Sequence, residues 1–292
     1  MPSLKEYKAK LASLNNTRKI TKTMKMVAAS RLTRAMDAQR KALFYSTKLR
    51  ETIARLAASV DATAHPLLGV RPEVKNVLVI LITSDKGLCG GFNNNLIKAV
   101  NRWLHHPSRA GQHIHFAFCG RRGWLAFRGK HHQRIFKYYE NVTGRPQSTD
   151  AVRIAHEACG AFLGGQFDEV HLAYNHFINP LSQKPVFEQL LPIAPAEVEP
   201  SEEKLQPDMI LEPSEGELLS LLLPKTIEFS LFFALLENAA GENGARMTAM
   251  DNATTNANQM ITLYTLLRNR ARQASITKEL IEIVSGAEAL KG

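Results

Sequence analysis

The stretch Ala253-Thr-Thr-Asn-Ala257-Asn-Gln-Met260-Ile-Thr-Leu-Tyr264-Thr-Leu-Leu267-Arg-Asn-Arg-Ala271-Arg-Gln-Ala274-Ser-Ile-Thr-Lys278-Glu-Leu-Ile281 sets the architecture. Residues 253, 257, 260, 264, 267, 271, 274, 278 and 281 recur at alternating steps of four and three. All but Lys278 are apolar or amphipathic, which is the period of a coiled-coil seam. A helix of this kind has no core of its own and needs a second helix. The far end of the chain offers one, with Leu49, Ile53, Leu56 and Val60, and earlier Ile20, Met24 and Val27. The alanines let the two helices approach closely. Joined through an intervening domain, they pair most simply antiparallel.

Proline and glycine mark out that domain, because both punctuate helices. Neither occurs from Ser3 to His65, and no proline follows Pro224. The predicted division is a helix over 1–65, an α/β domain over 66–191, a connector over 192–217 and a helix over 218–292. Ser3-Leu-Lys-Glu6 is a capping box opening the first helix, a rod of about 90 Å if unbroken. Asn76-Val-Leu-Val-Ile-Leu-Ile-Thr83 is a short continuous apolar run, as in a buried parallel strand. A glycine loop follows, then a helix from Asn93 to His105. His113–Cys119 and Glu169–Ile178 are further strands, and the alternation implies a Rossmann-like parallel sheet covered on both faces. The connector is proline-rich and acidic, with eight Asp/Glu against Lys204.

Charge is concentrated at one end. Residues 1–60 hold 14 Lys/Arg against Glu6, Asp37 and Glu51, and that excess accounts for the whole net charge of +10. Such a helix has an acidic partner, a solvated face or a nucleic acid. Few aromatics interleave its clusters (Arg18-Lys19 with Lys22 and Lys25, Arg31 with Arg34, Arg40-Lys41), which weighs against nucleic acid. The three cysteines, Cys89, Cys119 and Cys159, have neither disulfide nor zinc spacing, pointing to a reducing compartment. The N-terminus has no apolar core of a signal peptide. Leu218–Ala240 carries Pro224, Lys225, Glu228 and Glu237, so it reads as a buried helix and not a membrane span.

Little in the chain looks catalytic. Ser84-Asp-Lys-Gly-Leu-Cys-Gly-Gly91 stands between strand and helix, where phosphate loops occur. It lacks the Lys-Ser/Thr of a P-loop and the spacing of a dinucleotide fingerprint. Gly87, Gly90 and Gly91 are read as a structural turn, and Cys89 as a small buried thiol. The ten histidines, all between His65 and His176, have no metal-ligand spacing. No catalytic residue, metal or cofactor is expected.

Four blocks carry a family resemblance. Ile20-Thr-Lys-Thr-Met-Lys-Met-Val-Ala-Ala-Ser30 resembles the N-terminal signature of F-type ATP synthase γ subunits, and Ser84 to Asn93 resembles their central motif. Ala245-Arg-Met-Thr-Ala-Met-Asp-Asn-Ala-Thr-Thr-Asn-Ala257 and Arg270 to Ala287 resemble their C-terminal helix. The blocks occur in order along essentially the whole chain.

The resemblance implies a non-catalytic rotor shaft, a peripheral membrane protein at the cytoplasmic face of the bacterial inner membrane. Its paired helices would enter the ring of three α and three β subunits. Its α/β foot would lie near the ε subunit and the c-ring, with membrane contact only through the Fo sector. Ion flow would be coupled by rotation to ATP synthesis or hydrolysis on α and β. By motif position, Met24 and Lys25 would meet an acidic region of β, and Arg272, Gln273, Thr277 and Glu279 would meet β loops. That gives the basic helix a partner without nucleic acid; a basic coiled-coil nucleic-acid binder is the alternative. Two features depart from the family pattern. Phe92 replaces the usual leucine, and Gly241 and Gly244 stand where helix formers are common. Each glycine costs about 1 kcal/mol of helix stability, implying a looser lower helix. The paired-cysteine insertion of chloroplast γ subunits is missing, so no thiol switch is expected.

Overall fold

Strand β1 (Asn76–Ile82) is the axis of the sheet. Six of its seven residues are buried because both of its faces are covered. A computed structural model describes residues 3–59, 65–129, 131–193 and 215–289. The acidic part of the expected connector, 194–214, lies outside the described residues.

The elements run α1 (Leu4–Ser59), β1, α2 (Phe92–Leu104), β2 (His113–Cys119), α3 (Arg121–Phe127), β3 (Ile135–Tyr139), α4 (Ser148–Leu163), β4 (Glu169–Asn179), β5 (Ser182–Leu191) and α5 (Glu215–Ala289). They form two compact units, Met1–Ala28 with Met247–Gly292, and Ala29–Arg246.

In the larger unit the strand order is β3-β2-β1-β4-β5. The first four strands are parallel, and β5 turns back antiparallel on β4. The sheet is therefore mixed, where an all-parallel one was predicted. β5 carries Pro185, which an edge strand tolerates because that position need not donate to a neighbour. The strand period of two divides the core. Leu78, Ile80 and Ile82 pack with α4 (Ile154, Ala158, Phe162) and α5 (Leu223, Ile227, Leu231, Leu235). Val77, Val79 and Leu81 face Leu96 and Val100 of α2 and Phe127 at the end of α3. α5 has the length and composition of a membrane-spanning helix, yet its early apolar residues complete this core. It runs through Pro224 without ending.

Gly241 and Gly244 are packing positions, not weak points. A methyl group on Gly241 would come within 2.8 Å of Phe92 Cε2, and one on Gly244 within 3.0 Å of Pro180 Cα. Absence of a side chain brings α5 against α2 and the β4–β5 turn. The expected loosening gives way to a buried, close-packed stretch from Ala234 to Gly244.

The smaller unit is an antiparallel helix pair. Lys25 Nζ lies 2.6 Å from Asp251 Oδ1, Thr21 Oγ1 lies 2.7 Å from Thr254 Oγ1, and the Tyr7 and Tyr264 ring centroids are 6.3 Å apart. Residue numbers fall along one helix as they rise along the other. Ser3 and Glu6 form a reciprocal cap at 3.2 and 3.3 Å.

The seam runs one residue away from part of the predicted one. In α1 it passes through Leu11, Thr21 and Ala28, all buried, while Ile20 and Val27 point outward. In α5 Ala257 is buried, and Ala253, Tyr264, Leu267 and Ala271 are half-buried as predicted. Ile261 takes the inward place assigned to Met260, and Ala274, Lys278 and Ile281 are exposed. Small residues close the interface because the backbones come near each other. In the larger unit Leu49 is buried. Ile53 and Leu56 fall outside the described side chains, and Val60 outside the described residues.

Candidate functional site

In open α/β sheets, ligands bind beyond the carboxyl ends of the strands, where the connections diverge. Here that place lies beyond β1 and β4, and the glycine loop 84–91 occupies it. Ser84 N donates to Asn93 Oδ1 at 3.0 Å, and Asn93 Nδ2 donates to Ser84 Oγ at 2.7 Å and Cys89 Sγ at 3.2 Å. Gly90 has φ 58° and Leu88 φ 63°. Gly91 precedes α2 as its N-cap, and the Arg122 guanidinium lies over Gly87, where a side chain would have to displace it. Of the three glycines, Gly90 alone adopts a positive φ.

Helix α5 closes the crevice. Asn238 Nδ2 donates to Thr83 O at 3.3 Å and Arg246 donates to Gly87 O at 3.1 Å. Glu242 is paired with Arg246 and buried. Asn175 of β4 donates to Phe92 O at 3.1 Å. These bonds engage the polar groups of Thr83, Ser84 and Gly87 with Asn93 and α5. What remains is a cleft of about 400 Å³ between the loop and α3, with Arg122 as the charged group in its lining.

The thiols are poor nucleophiles. Burial pushes the Cys89 and Cys119 thiols up, and burial with the Glu228 charge pushes Cys159 up to about 11. His171 is held on Glu169 at 2.7 Å, beside Arg109 at 3.0 Å from the same carboxylate and edge-on to Trp103. Burial lowers its pKa, so the ring is neutral at physiological pH. Among the described residues no group of three His, Cys, Asp or Glu is placed to hold a metal.

The residues singled out as partner contacts lie in the smaller unit, in two places. Lys25 reaches Asp251 and flanks a basic groove lined by Arg18, Lys19, Lys22 and Met26 on one side and Thr254 and Asn258 on the other. Met24 is half-buried behind it. Arg272, Gln273, Thr277 and Glu279 are exposed on α5, roughly 30–40 Å beyond Asp251 at about 1.5 Å per residue. They form a separate surface. Thr277 Oγ1 donates to Gln273 O at 3.0 Å and Ser275 Oγ donates to Glu279 at 3.1 Å, which leaves the Arg272 and Gln273 side chains open. Since Leu4 starts α1 only about one turn past the level of Tyr264, α5 beyond Ala271 has no described helix beside it. Ile276, Leu280, Ile281, Ile283 and Val284 are exposed there, Ile283 by 67%. The heptad reading assigned Ile281 to the pair and so missed this bare apolar end.

A family model described as ATP synthase matches residues 3–290. The ATP synthase gamma chain of Geobacter metallireducens is 47% identical over 292 residues, covering all of both chains. The chain belongs to the ATP synthase gamma-chain family. Among solved structures, the central stalk and c-ring assembly of Tetrahymena thermophila mitochondrial ATP synthase holds a chain 26% identical. That match covers 80% of this chain and 99% of that one, with a TM-score of 0.58. A rotor chain of Euglena gracilis mitochondrial ATP synthase shares the fold at 18% identity. It covers 94% of this chain and 98% of its own, with a TM-score of 0.67. As a gamma chain, it is a subunit of the membrane-associated ATP synthase complex and serves as its rotor shaft. The nucleic-acid alternative has no support from these relatives.

Proposed function

We propose that this chain is a non-catalytic shaft that turns within a ring of α and β subunits at the cytoplasmic face of the bacterial membrane. The bare apolar end of α5 carries this reading. A single helix exposing Ile276, Leu280, Ile283 and Val284 needs a surrounding sleeve, since exposed apolar stretches of this kind mark interaction surfaces. Arg272, Gln273, Thr277 and Glu279 surround these residues and meet β loops as the sleeve changes. Met24, Lys25 and the basic groove face an acidic region of β lower down. The α/β domain, 66–191, is the foot, toward the ε subunit and the c-ring; 1–65 and 218–292 are the shaft segments, and 192–217 connects the foot to the second of them. The loop at Gly87, Gly90 and Gly91, read as a structural turn without a phosphate-binding sequence and tied to α5 by Arg246, supports the non-catalytic assignment. Rotation alters nucleotide affinity through differential contacts, because a partner shifts an equilibrium only by binding its states unequally.

The test is an immobilised complex of α, β and this chain, with a bead tethered to the sheet domain. ATP should drive one-directional rotation, and the purified chain alone should hydrolyse none. A bead that stays fixed while ATP is consumed overturns the reading.

A further inference from the structure

The larger unit buries a carboxylate that neither packing nor the crevice explains. Glu237 of α5 is 1% exposed. Its Oε1 accepts from Gln39 Nε2 of α1 at 2.7 Å, and its Oε2 accepts from His176 Nδ1 of β4 at 2.6 Å. The Phe177 backbone N–H also faces it. Two segments remote in sequence, α1 and β4, therefore converge on one side chain of α5, each through a directional bond.

A buried charge is costly, and an apolar residue of similar volume would satisfy the core at least as well. Apolar contacts hold helices together but tolerate sliding, whereas a buried polar contact fixes register. We propose that Glu237, with Gln39 and His176, is a positioning residue for rotary coupling. It pins α1 and α5 to strand β4 so that torque applied to the sheet domain reaches both helices without slip. The inference rests on the rotor role and adds where slip is prevented.

The test uses the whole complex in sealed vesicles, reading ions pumped per ATP hydrolysed. Glu237→Leu keeps bulk and removes the acceptor. With the contact to Gln39 and His176 removed, the ratio should fall while hydrolysis persists. Glu237→Gln keeps an acceptor for Gln39 and lets the His176 ring change tautomer, so it should restore most of the ratio. A simple loss of folding would lower assembly and leave the ratio of the assembled complexes unchanged. A wild-type ratio in Glu237→Leu, or equal loss in both variants, overturns the proposal. Should Glu237→Leu fail to assemble, His176→Ala decides, because that ring is half-exposed. A reduced ratio supports the latch and an unchanged one overturns it. If the wild-type complex itself does not couple, the rotor role falls instead.

Discussion

The ring of Phe92 fills the space that a side chain at position 241 would occupy, with Cε2 only 2.8 Å from where a methyl carbon on Gly241 would lie. Phe92 is buried at the first position of α2, just after the glycine loop, and Gly241 is fully inside α5. Size at one position is matched by absence at the other.

Gly241→Ala should therefore destabilise the chain although alanine is the better helix former. Overpacking costs about 1–3 kcal/mol, against a propensity gain of about 1 kcal/mol. Phe92→Leu alone should also destabilise, by loss of packing. The double variant should be more stable than the sum of the two, because the residues touch. A double-mutant cycle by urea unfolding checks this; strict additivity would mean that the ring is free to move aside.

Register in the smaller unit can be tested by insertion. One alanine after Asn256 turns everything beyond it by about 100°. Ala257, Ile261 and Tyr264 then leave the seam, and Ile261 and Tyr264, half-buried there, each lose part of the roughly 1.5–3 kcal/mol that full burial of a large apolar side chain contributes. Seven residues nearly restore the facing positions while shifting the end of α5 by about 10 Å. The short insertion should abolish ATP-driven pumping and impair assembly, and the long one should assemble better. Wild-type pumping by the short insertion would disprove the pairing.

Two exposed pairs distinguish shaft from foot. Arg272 and Gln273 stand on the bare end of α5, and Arg121 and Arg122 open α3 in the sheet domain. Replacing the first pair by alanine should lower turnover of the complex more than replacing the second. Equal or reversed losses count against the proposed β contacts.

Glu242 should contribute a loss of stability as pH rises out of the carboxylate range. Burial raises its pKa despite the opposing Arg246 charge. A carboxyl whose folded pKa lies above its unfolded value binds its proton more tightly when folded. Its contribution is fully present below the ordinary value of about 4.3 and is lost as pH rises through the raised one. Glu242→Gln removes this titration, so its melting temperature should vary less with pH over that window. An identical slope would mean that Glu242 does not titrate there.

Native thiols should resist alkylation. At pH 7 a thiol of pKa near 11 is ionised to only about one part in ten thousand, and this describes Cys159, the most accessible of the three. Iodoacetamide should label none of them at an appreciable rate until the chain is unfolded, when all three should react. Rapid labelling of folded Cys89 would show that the glycine loop opens.

What the sequence conveyed depended on how large each signal was. Val77 to Ile82 is a continuous apolar run that reads as a strand buried on both sides, and the stretch from Ser3 to His65 without proline or glycine and the proline-free stretch after Pro224 read as helices. The seam was harder, because periodicity is judged by large apolar residues while the contact is made by small ones. Ile20 and Met260 were read as inward and face out, while Thr21 and Ile261 lie beside them and face in. β5 escaped because Ser182-Gln-Lys-Pro185 reads as a loop; its strand character comes from pairing with β4. Gly241 and Gly244 were read through helix propensity, a local quantity, whereas their purpose is contact with Phe92 and Pro180. The crevice was legible only in what it lacked. Nothing in Asn238 or Arg246 revealed that α5 would occupy it.

The hydroxyl contact between Thr21 and Thr254 has a consequence for wear under load. A pair of smooth helices joined only by alanines and leucines behaves like two greased rods, with many nearly equivalent resting places along their length. Displacing one helix by a turn, about 5.4 Å, would separate the two hydroxyls, now 2.7 Å apart. Such a shift would put a hydroxyl against apolar surface. The contact thus acts as a detent. It does little to hold the rods together and more to fix where along each other they stop.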